Sequence, residues 1–421
     1  MFRRILIANR GEIAARILRS CQKLGIETVC VYSDADAELG YLKQATKSIP
    51  IGEAAAYKSY LNQDILLRTA QETDCEAIHP GYGFLSENAL FATRCEQQKL
   101  TFIGPKPHQI RMMGDKATAI KTMKAAGLPV ISGASDEFPL LIKATAGGGG
   151  KGIRLVKSAS EFEAAYSEAQ AEAEKSFSNS ELYLEKFIPN ARHIEFQVLA
   201  DAYGKVIHLG ERECSIQKRH QKLLEESPAP NFPESLRNSM GQKIINALSK
   251  IGYLGAGTLE FLLDSNQNLY FMEMNTRIQV EHPVTEFVTG LDLIAWQIKI
   301  AAGEHLDVDY QGPEGHAIEC RINAEAPGII RKLEIPDNIR FDTYLENNTQ
   351  VTPYYDSMLG KLIAHGKSRP EALSKLKHAL ENFVIEGVPT TQKLHQAILE
   401  DQNFIKGQYT CAFFEDFIWP K

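Results

Sequence analysis

Polar groups able to do chemistry alternate with side chains that cannot in "YFMEMNTRIQVEHP", Tyr270 to Pro283. Glu273, Asn275, Arg277, Gln279 and Glu281 occupy every second position; Met272, Met274, Thr276, Ile278 and Val280 fill the gaps. An extended chain sends successive side chains to opposite faces. One face then carries two carboxylates, two amides and a guanidinium. Just upstream, "GTLEFLLDSNQNLYFMEMN" reads as a hairpin turning at Ser265 to Asn268. A four-residue loop there pairs Asp264 with Leu269, which puts Glu260 opposite Glu273 and Thr258 opposite Asn275. Facing carboxylates repel, and a divalent cation between them removes the repulsion. Oxygen ligands plus nucleotide phosphates are how magnesium is usually held. Arg277 suits bidentate binding of a planar oxyanion, and Glu281 beside it can act as a base. The face reads as a metal–nucleotide site running into a small-oxyanion site. The plainer alternatives are an edge hairpin with solvated acids and an Arg277–Glu281 salt bridge.

A second group of candidates lies earlier. "KATAGGGGKG" places Gly147, Gly148, Gly149 and Gly150 before Lys151. Consecutive glycines let backbone N–H groups approach an anion closely. No Ser or Thr follows the lysine and a strand comes next, so this is not a Walker A loop. A hairpin folding over a polyphosphate fits, with Lys143 and Lys116 as point charges; a surface hairpin is the alternative. "HIEFQV" repeats the alternation with His193, Glu195 and Gln197. "ERECSIQKRHQK" gathers Arg212, Lys218, Arg219, His220 and Lys222, either as a cationic pocket or as a solvated turn. Nothing in the sequence activates Cys214, and a packed thiol is expected there.

These residues need a scaffold. The first hundred residues alternate short apolar runs ("ILIAN", "ETVCVY") with helical periods such as Ile13, Ile17, Cys21 and Leu24. Strand–helix–strand units imply a doubly wound parallel sheet. G-x-G-x-x-G is absent, which speaks against a nicotinamide fold. After Met113 come a helix ending at Gly-Leu-Pro, the glycine hairpin, an Ala/Glu-rich helix and several strands. The class is α/β, with a C-terminal α+β segment after "GHAIECRINAE". The chain has 421 residues, 44% of them hydrophobic, and a net charge of −7. That is ample for a core, and it argues against wholesale nucleic-acid binding. No apolar run is long enough to span a membrane. Seven scattered cysteines without C-x-x-C read as reduced thiols, and the cytoplasm is the expected location.

The strings "ILIANRGEIA", "AIHPGYGFLSEN", "FIGP", "MGDK", "GGGGKG", "RECSIQKRHQK", "GAGTLEF", "EMNTRIQVEHPVTE" and "YYDSMLGKLIAHG" together resemble biotin carboxylase, an ATP-grasp enzyme, over nearly the whole chain. "AEKSF", "FMEMNTR" and "EDFI" look closest to the biotin-carboxylase part of acyl-CoA carboxylase alpha subunits, which serve fatty acid biosynthesis. The resemblance implies an N-terminal domain over 1–112, an ATP-grasp domain over 113–305 with 132–187 as a mobile lid, and a C-terminal domain over 314–419.

The resemblance also implies roles. Lys116, Lys143 and the glycine loop hold ATP phosphates. Glu185, with the backbone of Lys186 and Ile188, meets adenine, and His193, Gln217 and His220 line the nucleotide pocket. Glu260, Glu273 and Asn275 hold magnesium or manganese. Lys222, Arg277, Gln279 and Val280 bind bicarbonate. Glu281 deprotonates bicarbonate for attack on the γ-phosphate, giving carboxyphosphate. Arg340 stabilises the biotin enolate. The implied partners are a biotin carboxyl carrier protein and carboxyltransferase subunits, with a homodimer as the usual assembly.

Two segments depart from the family pattern. Only "ASDEFPLL" stands between Gly133 and Lys143, where the family carries a helix and an "IGYP"-like turn. After "INAEA" the loop shortens to "PGIIRKLEIPD", just before Arg340. No Ala-Met-Lys-Met carrier motif occurs in the chain. The expected function is ATP-dependent carboxylation of biotin on a carrier; the alternatives are a nucleotide-binding scaffold subunit that has lost turnover, and another ATP-grasp ligase.

Overall fold

Short apolar runs between helical periods build a five-stranded parallel sheet at the N-terminus. Its order is Lys47–Pro50, Glu27–Tyr32, Arg4–Ile7, Ala77–His79, Thr101–Phe102. The computed structural model describes residues 1–131, 138–145, 153–177, 179–219 and 221–418. Helix Gly11–Lys23 covers one face of the sheet and buries Ile13, Ile17 and Cys21, the predicted stripe; Leu24 falls just past its last turn.

The helix predicted through "GDKATAIKTMKAAG" is Lys116–Ala126, and a separate helix precedes it. Pro107–Gly114 stops before Asp115, whose side chain accepts from Thr118 N and so caps Lys116–Ala126. Lys116 thereby opens a helix. Gly127, at φ +103, closes it in the left-handed region. The predicted strand–loop–strand follows: Leu140–Ala144 pairs antiparallel with Ile153–Val156 and with Leu182–Lys186. Helix Ala159–Phe177 packs on this small sheet through Phe162, Ala165 and Ala169. The glycines of the loop, Gly147 to Gly150, and His220 lie outside the described residues.

The largest element is an eight-stranded antiparallel sheet. Its order is Leu269–Asn275, Gly255–Leu263, Arg192–Ala200, Val206–Lys218, Gln221–Ser227, His316–Asn323, Met358–Gly366, Arg340–Thr343. The C-terminal segment joins this sheet directly, through His316–Asn323 against Gln221–Ser227. Among the described residues no helix is long and apolar enough to cross a membrane.

One buried acid pins the C-terminal helices to the sheet. The fully buried Glu226 lies 2.5 Å from His316 Nε2, accepts from Arg369 Nε at 2.7 Å and Nη2 at 2.9 Å, and accepts from the Tyr409 hydroxyl. Burial alone would raise its pKa; the His316 hydrogen bond and Arg369 outweigh that and hold it at about 2. A depressed folded-state pKa stabilises above the unfolded value and loses that contribution as pH falls through the folded value. Stability is therefore expected to drop between about pH 4.5 and 2, by on the order of 3 kcal/mol from this group. Glu226→Gln should flatten that part of a stability–pH curve from denaturant melts. An unchanged acid limb in the variant would show that other carboxylates set it.

Candidate active site

Strand Gly255–Leu263 lies between Arg192–Ala200 and Leu269–Asn275. Alternation sends Leu259, Phe261 and Leu263 into a core with Phe196 and Ile244. Thr258 and Glu260 go to the other face, beside Gln197 and Glu195. There Glu260 stands opposite Glu273 and Thr258 opposite Asn275, the register the alternation predicts.

The turn that delivers this register differs from expectation. Leu263, not Asp264, pairs with Leu269, and Met272 bulges out to bring Glu273 back against Glu260. Asp264 leaves the ladder because its Oδ1 accepts the amides of Asn266 at 2.9 Å and Asn268 at 2.8 Å. Bulges commonly re-aim side chains beside sites. The extended run also ends sooner than expected, at Asn275. Glu281 is the N-cap residue of helix His282–Thr289, which Pro283 suits in its first turn. The polar face survives the bend because Glu87 ties it down. Thr276 N donates to Glu87 Oε1 at 3.0 Å and Arg277 Nε to Glu87 Oε2 at 2.9 Å.

These groups line a cavity of about 810 Å³ between the N-terminal sheet and the large sheet. Lys116, His193, Gln217, Lys222, Glu260, Glu273, Asn275, Arg277, Gln279, Val280 and Glu281 all reach its wall, so eleven of the predicted residues come together. Lys143 and Glu185, predicted at phosphate and adenine, meet each other in the small sheet. Glu185 is buried, Lys186 exposed and Ile188 half-buried. Arg340 is not at this cavity. It lines a separate one of about 600 Å³ with Arg16, Arg19 and Glu286. Its guanidinium lies 2.6 Å from Asp342 and 2.8 Å from Glu286.

Lys222 sits at the electrostatic centre. Its Nζ donates to Glu195 Oε2 at 2.6 Å, Glu281 Oε1 at 2.7 Å and Glu260 Oε1 at 3.1 Å. Burial would lower its pKa, but the three carboxylates hold it well above the usual lysine value. Arg321 Nη2 donates to the other Glu281 oxygen at 2.9 Å. Burial would raise the Glu281 pKa, but Lys222, Arg321 and Arg212 hold it well below the ordinary range. Arg277 donates to Gln279 Oε1 at 2.8 Å and Asn275 Oδ1 at 2.9 Å, and Gln279 Nε2 donates to Glu260 Oε1 at 2.9 Å. Arg277 from the bend after Asn275, and Lys222 and Arg321 from two strands, thus converge on the cavity wall beside Glu281. Such a cluster can bind a planar oxyanion and place a carboxylate against it.

A divalent cation fits between Glu260 and Glu273. The donor set is oxygen from two carboxylates and Asn275, as hard cations require. Burial and Glu260 push the Glu273 pKa up, and its nearest cation among the described residues is Lys116 at 3.6 Å. A cation there would relieve both effects.

The basic cluster around residue 212 divides. Arg212 is fully buried and donates to Glu195 at 2.5 Å and Gln197 at 2.9 Å, so it is no solvated turn residue. Cys214 is the packed thiol expected; burial pushes its pKa well up. Sequence reasoning missed Arg321, Glu87 and Tyr82, the last a cavity-wall residue whose hydroxyl donates to Glu12 at 2.7 Å. All three lie in strings already singled out, "GHAIECRINAE" and "AIHPGYGFLSEN". In the first, Ala317, Glu319, Arg321 and Asn323 alternate with His316, Ile318, Cys320 and Ile322, the same signal that marked Glu273 to Glu281.

Residues 1–110 match the family described as biotin carboxylase, N-terminal domain, and residues 319–416 match biotin carboxylase C-terminal domain. Residues 115–309 match the carbamoyl-phosphate synthase L chain, ATP binding domain. The chain is 50% identical over 442 residues to a biotin carboxylase of Nostoc sp., covering 99% of each chain. It is 48% identical over 445 residues to biotin carboxylase 1 of Bacillus subtilis, again covering 99% of both. Both alignments are longer than the 421 residues of this chain, so the relatives carry residues it lacks. The biotin carboxylase domain dimer of Hydrogenobacter thermophilus 2-oxoglutarate carboxylase, solved with MgADP, ADP and bicarbonate, superposes with a TM-score of 0.95 at 43% identity over 100% of each chain. A biotin carboxylase–β,γ-ATP complex from Campylobacter jejuni gives 0.95 at 43% over 99% of each.

Proposed function

We infer the activity from one premise: the chain belongs to the biotin carboxylase family. It is an ATP-dependent ligase that carboxylates biotin with bicarbonate. The observation that carries the chemistry is the fork at Glu281, one carboxylate held between Lys222 and Arg321 at the cavity wall.

The positions of the cavity residues support the following roles. Lys116 and Lys143 take ATP phosphates, Lys143 exchanging Glu185 for them. His193 and Gln217, joined by a 2.9 Å contact, wall the nucleotide. Arg277, Gln279, the Val280 backbone and Lys222 receive bicarbonate. A bound anion competes with Glu281 for Lys222 and Arg321, and this competition restores basicity to a carboxylate whose resting pKa is depressed. Glu281 Oε then takes the bicarbonate proton, and the carbonate oxygen attacks the γ-phosphorus as ADP leaves. Carboxyphosphate breaks down to carbon dioxide and phosphate, and phosphate takes the biotin N1 proton. Arg321, a cation at the cavity wall, takes the enolate role that the resemblance implied for Arg340. A magnesium ion held by Glu260 and Glu273, with Asn275 beside them, would offset phosphate charge. The small sheet of Leu140–Ala144, Ile153–Val156 and Leu182–Lys186 would close over the site as a lid and exclude water.

Biotin arrives on a biotin carboxyl carrier, and the carboxyl group passes on to carboxyltransferase subunits. The domains are 1–112, 113–305 and 314–419. Two copies assemble, as in the Hydrogenobacter thermophilus domain dimer. The seven free thiols support a cytoplasmic location. No observation favours a scaffold without turnover, since the cavity holds the base, the anion-binding cations and the metal acids together.

The test is ATP cleavage with magnesium, with and without bicarbonate and free biotin. Turnover is expected to need bicarbonate, to rise with biotin and to vanish on chelation with EDTA. Bicarbonate-independent cleavage would sink this reading.

A further inference from the structure

Behind Glu281 lie two carboxyl groups that no step above uses. Glu225 and Glu319 stand directly opposite each other on strands Gln221–Ser227 and His316–Asn323, and both are fully buried. Side chains so paired share a face, with Cβ atoms about 4.5–5.5 Å apart. Glu225 meets a cation: its Oε1 is 2.5 Å from Arg321 Nη2. Apart from that ion pair, neither the Glu225 nor the Glu319 oxygens accept a hydrogen bond from any described residue. Arg321 lies two positions along the strand from Glu319, hence on the same face.

The charged groups around the pair come from four elements. Arg321 shares the Glu319 strand, Lys222 shares the Glu225 strand, Lys361 comes from Met358–Gly366, and Glu281 stands at the start of its helix. Cys214 adds a thiol, 4.0 Å from Glu281 Oε1. Lys361 is already engaged: Nζ donates to the Val280 carbonyl at 2.8 Å and lies 3.2 Å from Glu12 Oε1. Lys222 already serves three other carboxylates. Arg321 reaches Glu225 and is shared with Glu281, while Lys361, opposite Arg321 on the next strand, is the main cation acting on Glu319.

We propose that Glu225 and Glu319 share one proton, carry one negative charge between them, and act together as the positioning element for Arg321. Facing carboxyl groups in a dry sheet do not both ionise when the cations beside them, Arg321 and Lys361, are already shared with Glu281 and Glu12. Burial and Glu225 push Glu319 well above the carboxylate range despite Lys361. Burial also pushes Glu225 up to about 7 against the pull of Arg321. One charge suits the reaction. When Glu281 takes up a proton it loosens its hold on Arg321, and the charge behind keeps the guanidinium at the cavity wall. Two charges would draw Arg321 away from the cavity. None would let it close on Glu281 and weaken the base. This role rests on Glu281 being the base; the shared proton does not.

The experiment uses full-length Glu225→Gln, Glu319→Gln and the double variant. Each single variant keeps one carboxyl to carry the charge. Bicarbonate- and biotin-dependent ATP cleavage is therefore expected to stay within about tenfold of wild type, with KM for ATP unchanged. The double variant is expected to lose roughly tenfold or more beyond the product of the singles, in kcat and not in KM for ATP. The proton is read separately, as a protonated-acid carbonyl stretch in infrared difference spectra against wild type at pH 8, which either single variant should remove. No such band, or a double variant equal to the product of the singles, overturns the proposal. Wild-type protein that shows the band but cleaves no ATP overturns the role given to Arg321 and Glu281 and leaves the shared proton standing.

Discussion

Glu281→Gln is expected to lower bicarbonate-dependent ATP cleavage by roughly 10²–10⁴-fold, the range for removing a general base. The loss should fall on kcat. Glutamine keeps the shape and can still accept from Lys222 and Arg321, but it cannot take a proton. Removing one negative charge leaves the anion site more positive, so KM for bicarbonate should stay level or fall. The fold should hold. Lys222 retains Glu195 and Glu260, and Arg321 retains Glu225. A thermal melt within a few degrees of wild type would separate lost chemistry from lost structure. Substantial turnover in the variant, with bicarbonate still required, would move the base elsewhere. Resting geometry does not argue against Glu281 as base, although its pKa is held low. The two cations that depress it are the ones an incoming anion would engage.

Much of this site is legible in the sequence, and the reason is periodicity. Glu260, Glu273 and Asn275 sit on adjacent strands where a period of two fixes the face, so their register is readable even though the turn was not. Asp264 misleads because it prefers to bond the amides two and four residues on, which costs the hairpin a pair; the bulge at Met272 returns it. The face beyond Asn275 holds for a reason that alternation does not contain, namely Glu87, nearly two hundred residues earlier. Long-range partners of that kind carry no local signal. Arg212 shows the opposite error. In a run of basic residues it looks solvated, yet the sheet takes it to full burial because Glu195 and Gln197 alternate onto the same face. The parallel sheet of the first hundred residues was readable from its apolar runs. That the C-terminal segment extends the large sheet was not, since strand neighbours separated by ninety residues leave no mark in composition.

Arg321→Ala is expected to reduce biotin-dependent ATP cleavage by roughly 10²–10³-fold, comparable to losing one oxyanion donor, while Arg340→Ala stays within about threefold because it touches no reacting group. The family resemblance implied Arg340; the two arginines line different cavities. Arg321 Nη2 is 2.9 Å from Glu281 Oε2 and lines the cavity. Arg340 pairs with Glu286 and Asp342 in the other cavity. Its removal leaves both acids with a cation, since Arg16 holds Glu286 at 2.7 Å and Arg19 holds Asp342 at 2.7 Å. Removing Arg321 leaves Glu225 buried against Glu319 without its nearest cation, which also destabilises the fold. Arg321→Lys controls for that: it keeps a charge near Glu225 but cannot reach two carboxylates as a planar fork. A lysine variant that melts like wild type yet turns over as poorly as the alanine variant assigns the loss to the guanidinium. Equal losses from Arg340→Ala and Arg321→Ala would instead restore Arg340 to the reaction and require the second cavity to open onto the first.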